Sequence, residues 1–286
     1  MFAYGGNPLN VTFWGVRGST PCSCDANRRY GGNTACVALE VAGEDPIVLD
    51  LGTGLRFWGE TQAADGTFRA TALVTHIHWD HVQGLPFFGP ALKAGARFDI
   101  YGPPDEGLSL AAAFDEFMRP PFFPVRVRDL QGEIVFHDLA DADVAFGGAK
   151  VRARTVPHTG ATNGYRIEWD GASVAYISDH QSPCADGVEG ASIAESVLEL
   201  CDGVDLLIHD AQYWPDEWSA KRDWGHCTVD YAGRVARESG ARRLVLFHHD
   251  PAHDDATVDR MLDHVMATAA VEEVIAAAEG LTIALG

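Results

Sequence analysis

A dense group of metal-binding residue types follows an apolar segment early in the chain. In the stretch ALVTHIHWDHVQGLPFF (residues 72–88), three histidines and one aspartate fall within six positions: His76, His78, Asp80 and His81. Residues two apart on an extended segment point the same way, so His76 and His78 can reach one cation. Asp80 and His81 follow a further bend and can face a second cation. Imidazole and carboxylate ligands suit zinc, iron or manganese. The sequence therefore predicts a metal centre here rather than an exposed polar loop.

The segments around this group alternate between strand and helix patterns. Short apolar or β-branched runs, separated by Gly, Pro, Asn and Asp, predict strands at VTFWGV, ACVALEVA, PIVLDLG, TALVTH, ARFDIYGP, KVRARTVPH, NGYRIEWDG, ASVAYISDH and GVDLLIHDA. Helical spacing predicts helices over residues 105–118, 191–201, 228–240 and 256–280. Three prolines exclude a regular helix from 119–124. The order of elements indicates one α/β domain over residues 1–286 with two groups of strands.

Titratable side chains recur where the predicted strands end. They are His76, His158, Asp179, His209, Asp210, His248 and His249. Loops at one rim of a rigid sheet are where functional sites are usually built. We therefore expect several of these side chains to meet.

Composition narrows the classes of partner. The chain has 21 basic and 41 acidic residues, and its formal net charge of −20 disfavours a long nucleic acid as substrate. It has no run of about 18–20 apolar residues, so we expect no membrane span. The N-terminal MFAYGGNPLN has neither a basic start nor an apolar core, so we expect no secretion signal and, by default, a cytoplasmic location.

Six cysteines are expected to be reduced thiols, because a chain of this length without a secretion signal does not depend on a disulfide framework. They are Cys22, Cys24, Cys36, Cys184, Cys201 and Cys227. Cys22 and Cys24 form a C-x-C pair in a loop, and a metal or redox role competes there with ordinary loop thiols.

The ordered motifs resemble those of the metallo-β-lactamase fold hydrolases. The pattern His76-x-His78-x-Asp80-His81 after an apolar strand looks like the signature of that family. Further segments are similar to the branch that contains RNase Z and cyclic phosphodiesterases: GSTP, YGGNTACV, LDLGTGL, PHTGATNGYRIE, AYISDH and GHCTVDYAGRVARESGARRLVLFHH. The resemblance covers nearly the whole chain. It implies an α/β fold, the four-layer αββα sandwich of the metallo-β-lactamase type.

The resemblance also implies seven ligands around two divalent ions, zinc by ligand type, with manganese or iron left open. His76, His78 and His158 would hold the first ion, Asp80, His81 and His248 the second, and Asp179 would bridge them. The register after RLVLF favours His248 over His249, since neighbours at a strand end face opposite sides. Asp50 is expected to support the metal-binding loop from behind.

A catalytic histidine outside the ligand set is a further implication. His226 resembles an auxiliary histidine that is paired with an acid in the RNase Z branch, and Asp210 in HDAQY stands where that acid is a glutamate. With Asp80, these two residues are the predicted catalytic groups. We predict a binuclear metal-dependent hydrolase in which a metal-bridging hydroxide attacks a small or cyclic phosphodiester.

Other functions remain open at this point. A lactone or thioester hydrolase of the same superfamily would need no equivalent of His226. A tRNA 3′-processing endonuclease fits less well, since no long insertion resembles a tRNA-gripping arm. A non-catalytic metal-binding module would fit the intact ligand set least.

Several aromatic and polar residues have two interpretations. Trp79, Phe87 and Phe88 suit either the core or a pocket of ring size. Trp214, Trp218 and Trp224 suit substrate contact or a homodimer interface. The segment HHDPAHDD suits a polar turn better than a third metal site.

Overall fold

The computed structural model describes residues 7–183 and 192–286. The strands in these residues are β1 (Leu9–Gly15), β2 (Cys36–Glu40), β3 (Ile47–Leu49), β4 (Arg69–Leu73), β5 (Arg97–Gly102), β6 (Glu133–Asp138), β7 (Asp143–Phe146), β8 (Ala149–Thr155), β9 (Asn163–Trp169), β10 (Ala172–Ile177), β11 (Leu206–Asp210), β12 (Arg243–Phe247), β13 (Glu273–Ala276) and β14 (Thr282–Leu285). The α-helices are α1 (Leu55–Thr61), α2 (Trp79–Val82), α3 (Leu110–Phe117), α4 (Glu195–Cys201), α5 (Trp218–Lys221), α6 (Val229–Ser239) and α7 (Asp255–Thr268). Short 3-10 turns lie at Asp25–Asn27, Leu85–Phe87, Gly89–Leu92 and Val127–Asp129.

The strands form two mixed sheets. The first has the order β14-β1-β2-β3-β4-β5-β6, and the second has the order β13-β12-β11-β10-β9-β8-β7. In the first sheet β3 to β6 are mutually parallel, and in the second β10 to β13 are mutually parallel. β8 runs in the same direction as β10, because both pair antiparallel with β9. The carboxyl ends of β8, β10, β11 and β12 therefore lie at one edge of the second sheet.

The three largest apolar clusters among the described residues form three layers. Phe13, Tyr176 and Phe247 belong to the layer between the two sheets. Trp58 belongs to the layer between the first sheet and α1 to α3, and Val235 to the layer between the second sheet and α4, α6 and α7. Helices thus cover the outer face of each sheet. The predicted αββα sandwich is confirmed.

Local sequence signals place α6 correctly. The Thr228 hydroxyl accepts a hydrogen bond from the backbone N–H of Tyr231, and Gly240 ends the helix in the left-handed conformation, with φ of 68°. The predicted helix over 228–240 is bounded by the same two residues, a Thr cap and a closing Gly.

Three helix predictions are wrong in extent. The helix predicted over 105–118 begins only at Leu110, where Ser109 caps it. The helix predicted over 191–201 begins only at Glu195, and residues 192–194 before it are not helical. The helix predicted over 256–280 ends at Thr268, and Glu273–Ala276 instead pairs in parallel with β12. The Ala- and Glu-rich tail has helical propensity, but pairing with a buried neighbour strand outweighs such local preference.

No helix within residues 7–183 or 192–286 combines the length and apolarity needed to cross a membrane.

Candidate metal centre

The metal-binding loop begins where β4 ends. Leu73 closes the strand, Thr75 and His76 are buried, and His78 precedes α2 in an extended conformation, with φ of −63° and ψ of 149°. His76 lies at the middle of the group. Its ring centroid is 4.3 Å from those of His78 and His81.

The structure brings all seven predicted ligands together as overlapping groups. In each group the donor atoms lie within 4.8 Å of one another. The groups formed by these residues alone are His76, His78 and His158; Asp80, His81 and His248; and His76, His81 and Asp179. The first two groups match the ligand sets implied for the two ions. The third group places Asp179, the predicted bridging residue, beside His76 of the first set and His81 of the second. Their assignment as ligands stays a prediction.

Three of the imidazoles are oriented by hydrogen bonds from outside the group. Nδ1 of His81 donates to Oδ2 of Asp50 at 2.8 Å. Nδ1 of His158 donates to the Gly225 carbonyl at 2.6 Å, and Nδ1 of His248 donates to Oε1 of Gln212 at 2.8 Å. A neutral ring that carries its proton on Nδ1 has the lone pair on Nε2. A histidine that binds a metal through Nε2 usually donates its Nδ1–H to an outer partner in this way. Nε2 of His81 is 3.3 Å from Nε2 of His248, so the lone pairs converge.

The chemistry of the donor set fits divalent cations. Nε2 of His76 and Oδ2 of Asp179 are buried and make no well-oriented hydrogen bond among the described residues, although Oδ2 of Asp179 lies 3.1 Å from Nε2 of His81. A buried polar atom without a partner is destabilising, and a cation would satisfy both. Burial lowers the pKa of His76 well below its ordinary value, so this ring is in the neutral form that binds metals.

The electrostatic field of the site also favours a cation. Burial opposes ionisation of Asp179, but the imidazoles of His248 and His81 outweigh it and hold the pKa of this carboxyl well below the ordinary range. Burial likewise opposes a charge on His81, yet the carboxylates of Asp179 and Asp80 raise the pKa of that ring well above its ordinary value. A field that draws a proton onto a buried imidazole also attracts a divalent ion.

Asp50 lies behind the site, as predicted. Its carboxylate is fully buried and accepts hydrogen bonds from the Thr75 backbone N–H at 2.7 Å and the Tyr176 hydroxyl at 2.9 Å, besides the one from His81. Asp50 directly follows β3 with φ of 59°, in the left-handed region. Aspartate tolerates this conformation better than most residues.

His248, and not His249, faces the metal group. His248 directly follows β12, also with a φ of 59°, and its Nε2 is 3.1 Å from Oδ2 of Asp80. The neighbouring ring points elsewhere, since Nε2 of His249 donates to the carbonyl of Ala277 at 3.0 Å. A Cβ at Gly18 would lie 2.3 Å from the His248 ring, so only glycine fits there.

The predicted pair His226 and Asp210 is in contact at the border of the metal group. Nδ1 of His226 is 3.0 Å from Oδ2 of Asp210, so the shorter aspartate still reaches the ring. The same nitrogen is 3.7 Å from Oδ1 of Asp179. Asp210 is itself fixed by the backbone N–H groups of His180 and Gln212, both at 3.0 Å.

Other polar residues near the ends of the strands lie outside the metal group. His209 and His180 are hydrogen-bonded to each other at 3.0 Å in the buried region behind Asp210. Apart from His248, the segment HHDPAHDD contributes to no metal-binding group among the described residues, because its other side chains have separate partners. Asp250 binds Lys221, His253 binds Glu217, and Asp254 caps α7.

The described cysteines and the late tryptophans lie outside the metal group. Cys22, Cys24, Cys36, Cys201 and Cys227 are free thiols, and Cys184 lies outside the described residues. Trp218 is buried, Trp214 packs against the core, and Trp224 is exposed.

Sequence reasoning did not identify three groups that hold the site. Gln212 could have been found as a polar residue after the end of β11, two positions beyond Asp210. The Gly225 carbonyl and the Ser19 N–H, which donates to Oδ2 of Asp80 at 2.7 Å, are backbone groups and have no side-chain signal.

Comparison with known proteins agrees with the fold and identifies the family. The family described as "Beta-lactamase superfamily domain" matches residues 59–249, a stretch that contains all seven predicted ligands. Ribonuclease Z of Halorubrum lacusprofundi is 26% identical over 284 residues, covering 84% of this chain and 86% of that protein. The crystal structure of the metallo-beta-lactamase fold protein YhfI from Bacillus subtilis aligns with a TM-score of 0.72 at 18% identity, covering 97% of this chain and 99% of that one. A diphosphatase from the PhnP family aligns with a TM-score of 0.67 at 20% identity, covering 97% of each chain.

Proposed function

We propose a function from one premise: this chain belongs to the beta-lactamase superfamily and is a metal-dependent hydrolase. The proposed reaction is hydrolysis of a small or cyclic phosphodiester with two divalent ions, zinc by ligand type. The single observation that carries the proposal is the His226–Asp210 pair beside Asp179, at 3.0 and 3.7 Å. A hydrolase of lactones or thioesters would not need this pair.

The residues that would hold the ions are the seven gathered in the candidate centre. His76, His78 and His158 form one set, Asp80, His81 and His248 the other, and Asp179 contacts both sets. When bound, divalent ions supply Lewis acidity and lower the pKa of water, which provides a nucleophile at neutral pH. Gln212, Asp50 and the Gly225 carbonyl keep the imidazole lone pairs aimed at the centre.

His226 is proposed as the proton donor to the departing alkoxide. With Nδ1 held by Asp210, the Nε2 nitrogen of the same ring is the one free to exchange a proton. The Asp210 carboxylate stabilises the imidazolium, as a carboxylate next to a catalytic histidine does elsewhere. Asp80, whose Oδ2 is fixed by the Ser19 N–H, is proposed to hold one ion and the water beside it.

The substrate is proposed to be small because of charge. A net charge of −20 repels a polyanion at long range, whereas a single diester meets only the local field of the site. The named activity of the Halorubrum lacusprofundi relative makes a precursor tRNA the second candidate. The two differ in a testable way, since cleavage of tRNA depends steeply on salt and cleavage of a small diester does not.

The test is an activity panel on metal-loaded protein: bis-p-nitrophenyl phosphate, cyclic nucleotides, a precursor tRNA, a lactone and a thioester, each with zinc and with manganese. We expect turnover of the phosphodiesters. Turnover of the lactone or thioester with the phosphodiesters untouched would refute the proposal, and turnover of tRNA alone would replace it with the second candidate.

A further inference from the structure

An apolar cavity opens next to the metal centre. Its volume is about 460 Å³, within the range of pockets that bind small ligands. The lining residues are Trp79, Val82, Gln83, Pro86, Phe87, Glu116, Phe117, Phe122 and Phe123. They come from α2, the following 3-10 turn, the end of α3 and the proline-rich segment after it.

The aromatic side chains of this cavity are unusually accessible. Trp79 is 75% exposed, Phe122 is 74% exposed and Phe87 is 61% exposed. The ring of Phe123 packs edge-on against Phe87 at a centroid distance of 5.8 Å, which fixes one wall. Phe88, in contrast, is fully buried and stacks on Trp58, so it belongs to the core.

The cavity adjoins the side from which a substrate must enter. Among the seven predicted ligands, His78 alone is exposed. Trp79 directly follows it, so their Cα atoms are about 3.8 Å apart. The same short helix carries Asp80 and His81 towards the metal centre and Val82 towards the cavity. A group attached to a phosphate at the metal centre would therefore lie within reach of Trp79.

The charge of the lining selects a neutral occupant. Glu116 is the one charged residue among the lining residues, and its Oε2 is paired with Arg119 at 2.7 Å. The cavity wall thus offers a second phosphate no cation, whereas its exposed rings offer flat apolar faces. Base-on-aromatic stacking is the interaction that such a wall favours.

We propose that this cavity binds a flat aromatic ring, such as a nucleobase, on the alcohol portion of the phosphodiester, and that Trp79 and Phe122 determine this specificity. The inference rests on the proposed function and narrows its substrate class. Since the two aromatic residues come from separate segments, their substitution tests the cavity rather than one local fold.

The test compares two substrates with the same reacting group. One is a nucleoside 2′,3′-cyclic phosphate, and the other is methyl riboside 2,3-cyclic phosphate, which has a methyl group in place of the base. Trp79→Ala and Phe122→Ala are each expected to lower the ratio of kcat/KM for the nucleotide to that for the base-free analogue by roughly 5- to 150-fold. Phe57→Ala, which removes a ring that is 39% exposed and outside the cavity, is the matched control and should leave the ratio as in the wild type.

Each other outcome overturns the inference. An unchanged ratio, or an equal loss of kcat/KM on both substrates, would show that the cavity does not bind the ring of the substrate. Conversion of a dimer to a monomer by Trp79→Ala, with the ratio unchanged, would assign the surface to a second copy of the chain.

A failure of the proposed function is separable. If the wild type hydrolyses neither substrate, the phosphodiesterase proposal fails. Titration calorimetry with adenosine then tests separately whether the cavity binds an aromatic ring. Binding that is weakened by Trp79→Ala and Phe122→Ala but not by Phe57→Ala would support the ring site, and absence of binding to the wild type would overturn it.

Discussion

Replacing Asp50 with asparagine should weaken metal binding without removing a ligand. The carboxylate is fully buried, and the groups that hydrogen-bond to it all act as donors: the Thr75 N–H at 2.7 Å, the Thr75 hydroxyl at 3.0 Å, Nδ1 of His81 at 2.8 Å and the Tyr176 hydroxyl at 2.9 Å. An asparagine of the same shape has one oxygen and one NH2 group. The oxygen can keep the Thr75 N–H, so the NH2 group is turned towards Nδ1 of His81.

The consequence is a change of tautomer at His81. Facing a donor, Nδ1 must accept, and the ring proton moves to Nε2, the nitrogen that lies 3.3 Å from His248 in the metal group. Loss of such an outer partner costs about 10- to 100-fold in metal affinity, or roughly 1.4–2.7 kcal/mol. Tyr176→Phe is the matched control. It removes one donor to the same carboxylate and leaves the contact with His81 intact, so metal affinity should stay close to that of the wild type.

The assay is a competition titration of metal-free protein with zinc against a chromophoric chelator, run in parallel for wild type, Asp50→Asn and Tyr176→Phe. Unfolding in denaturant separates stability from affinity. Wild-type affinity in Asp50→Asn, or an equal loss in both variants, would refute the claim that Asp50 acts by orienting His81.

Three further predictions concern catalysis, backbone and metal. His226→Ala should lower kcat on a phosphodiester by about 100-fold or more with metal content retained, while His137→Ala, which breaks a surface histidine–aspartate pair of 2.9 Å, should leave kcat as it is. An effect of His226→Ala on metal content instead would make that residue a ligand. Gly225→Ala should reduce metal content measured by mass spectrometry, because its φ is 90° and the new Cβ would lie 2.5 Å from Nδ1 of His158; wild-type content would contradict this. Chelation should abolish activity and lower the Tm, with zinc or manganese restoring both; a Tm that is insensitive to chelation would argue against bound structural ions. Metal affinity should fall as the pH drops, because the ligating imidazoles must be neutral. The fall should begin above the ordinary imidazole pKa of about 6.5, because the carboxylates of Asp179 and Asp80 outweigh burial and raise the pKa of His81.

The sequence predicts the fold and the membership of the site better than it predicts local geometry. Parallel strands that end in titratable residues require those residues to meet at one edge, and the structure gathers the ends of β4, β8, β10 and β12 there. His248 is in the left-handed region directly after β12, so the regular alternation of side chains along the strand ends there. The position of His248 after the strand favours it over His249, and the structure agrees, but no residue type in the sequence indicates the left-handed conformation.

The errors have a common physical origin. The tail after Thr268 has the composition of a helix, yet Glu273–Ala276 forms a strand. It pairs with the free side of β12, whose other side pairs with β11. The strands Glu133–Asp138 and Asp143–Phe146 are missed because each has an apolar run of only three residues and no fully buried side chain. The hydrogen bond from His158 to the Gly225 carbonyl joins positions 67 residues apart through a backbone atom, which no residue type encodes.

The central claim is that seven side chains hold two divalent ions at this edge of the sandwich. Anomalous diffraction at the zinc edge, from crystals of protein loaded with zinc, tests it most directly. We predict two peaks, one among His76, His78 and His158 and the other among Asp80, His81 and His248, each about 2.0–2.2 Å from its ligand atoms and both beside Asp179. A single peak, or peaks that leave His158 or Asp179 without a bound ion, would contradict it.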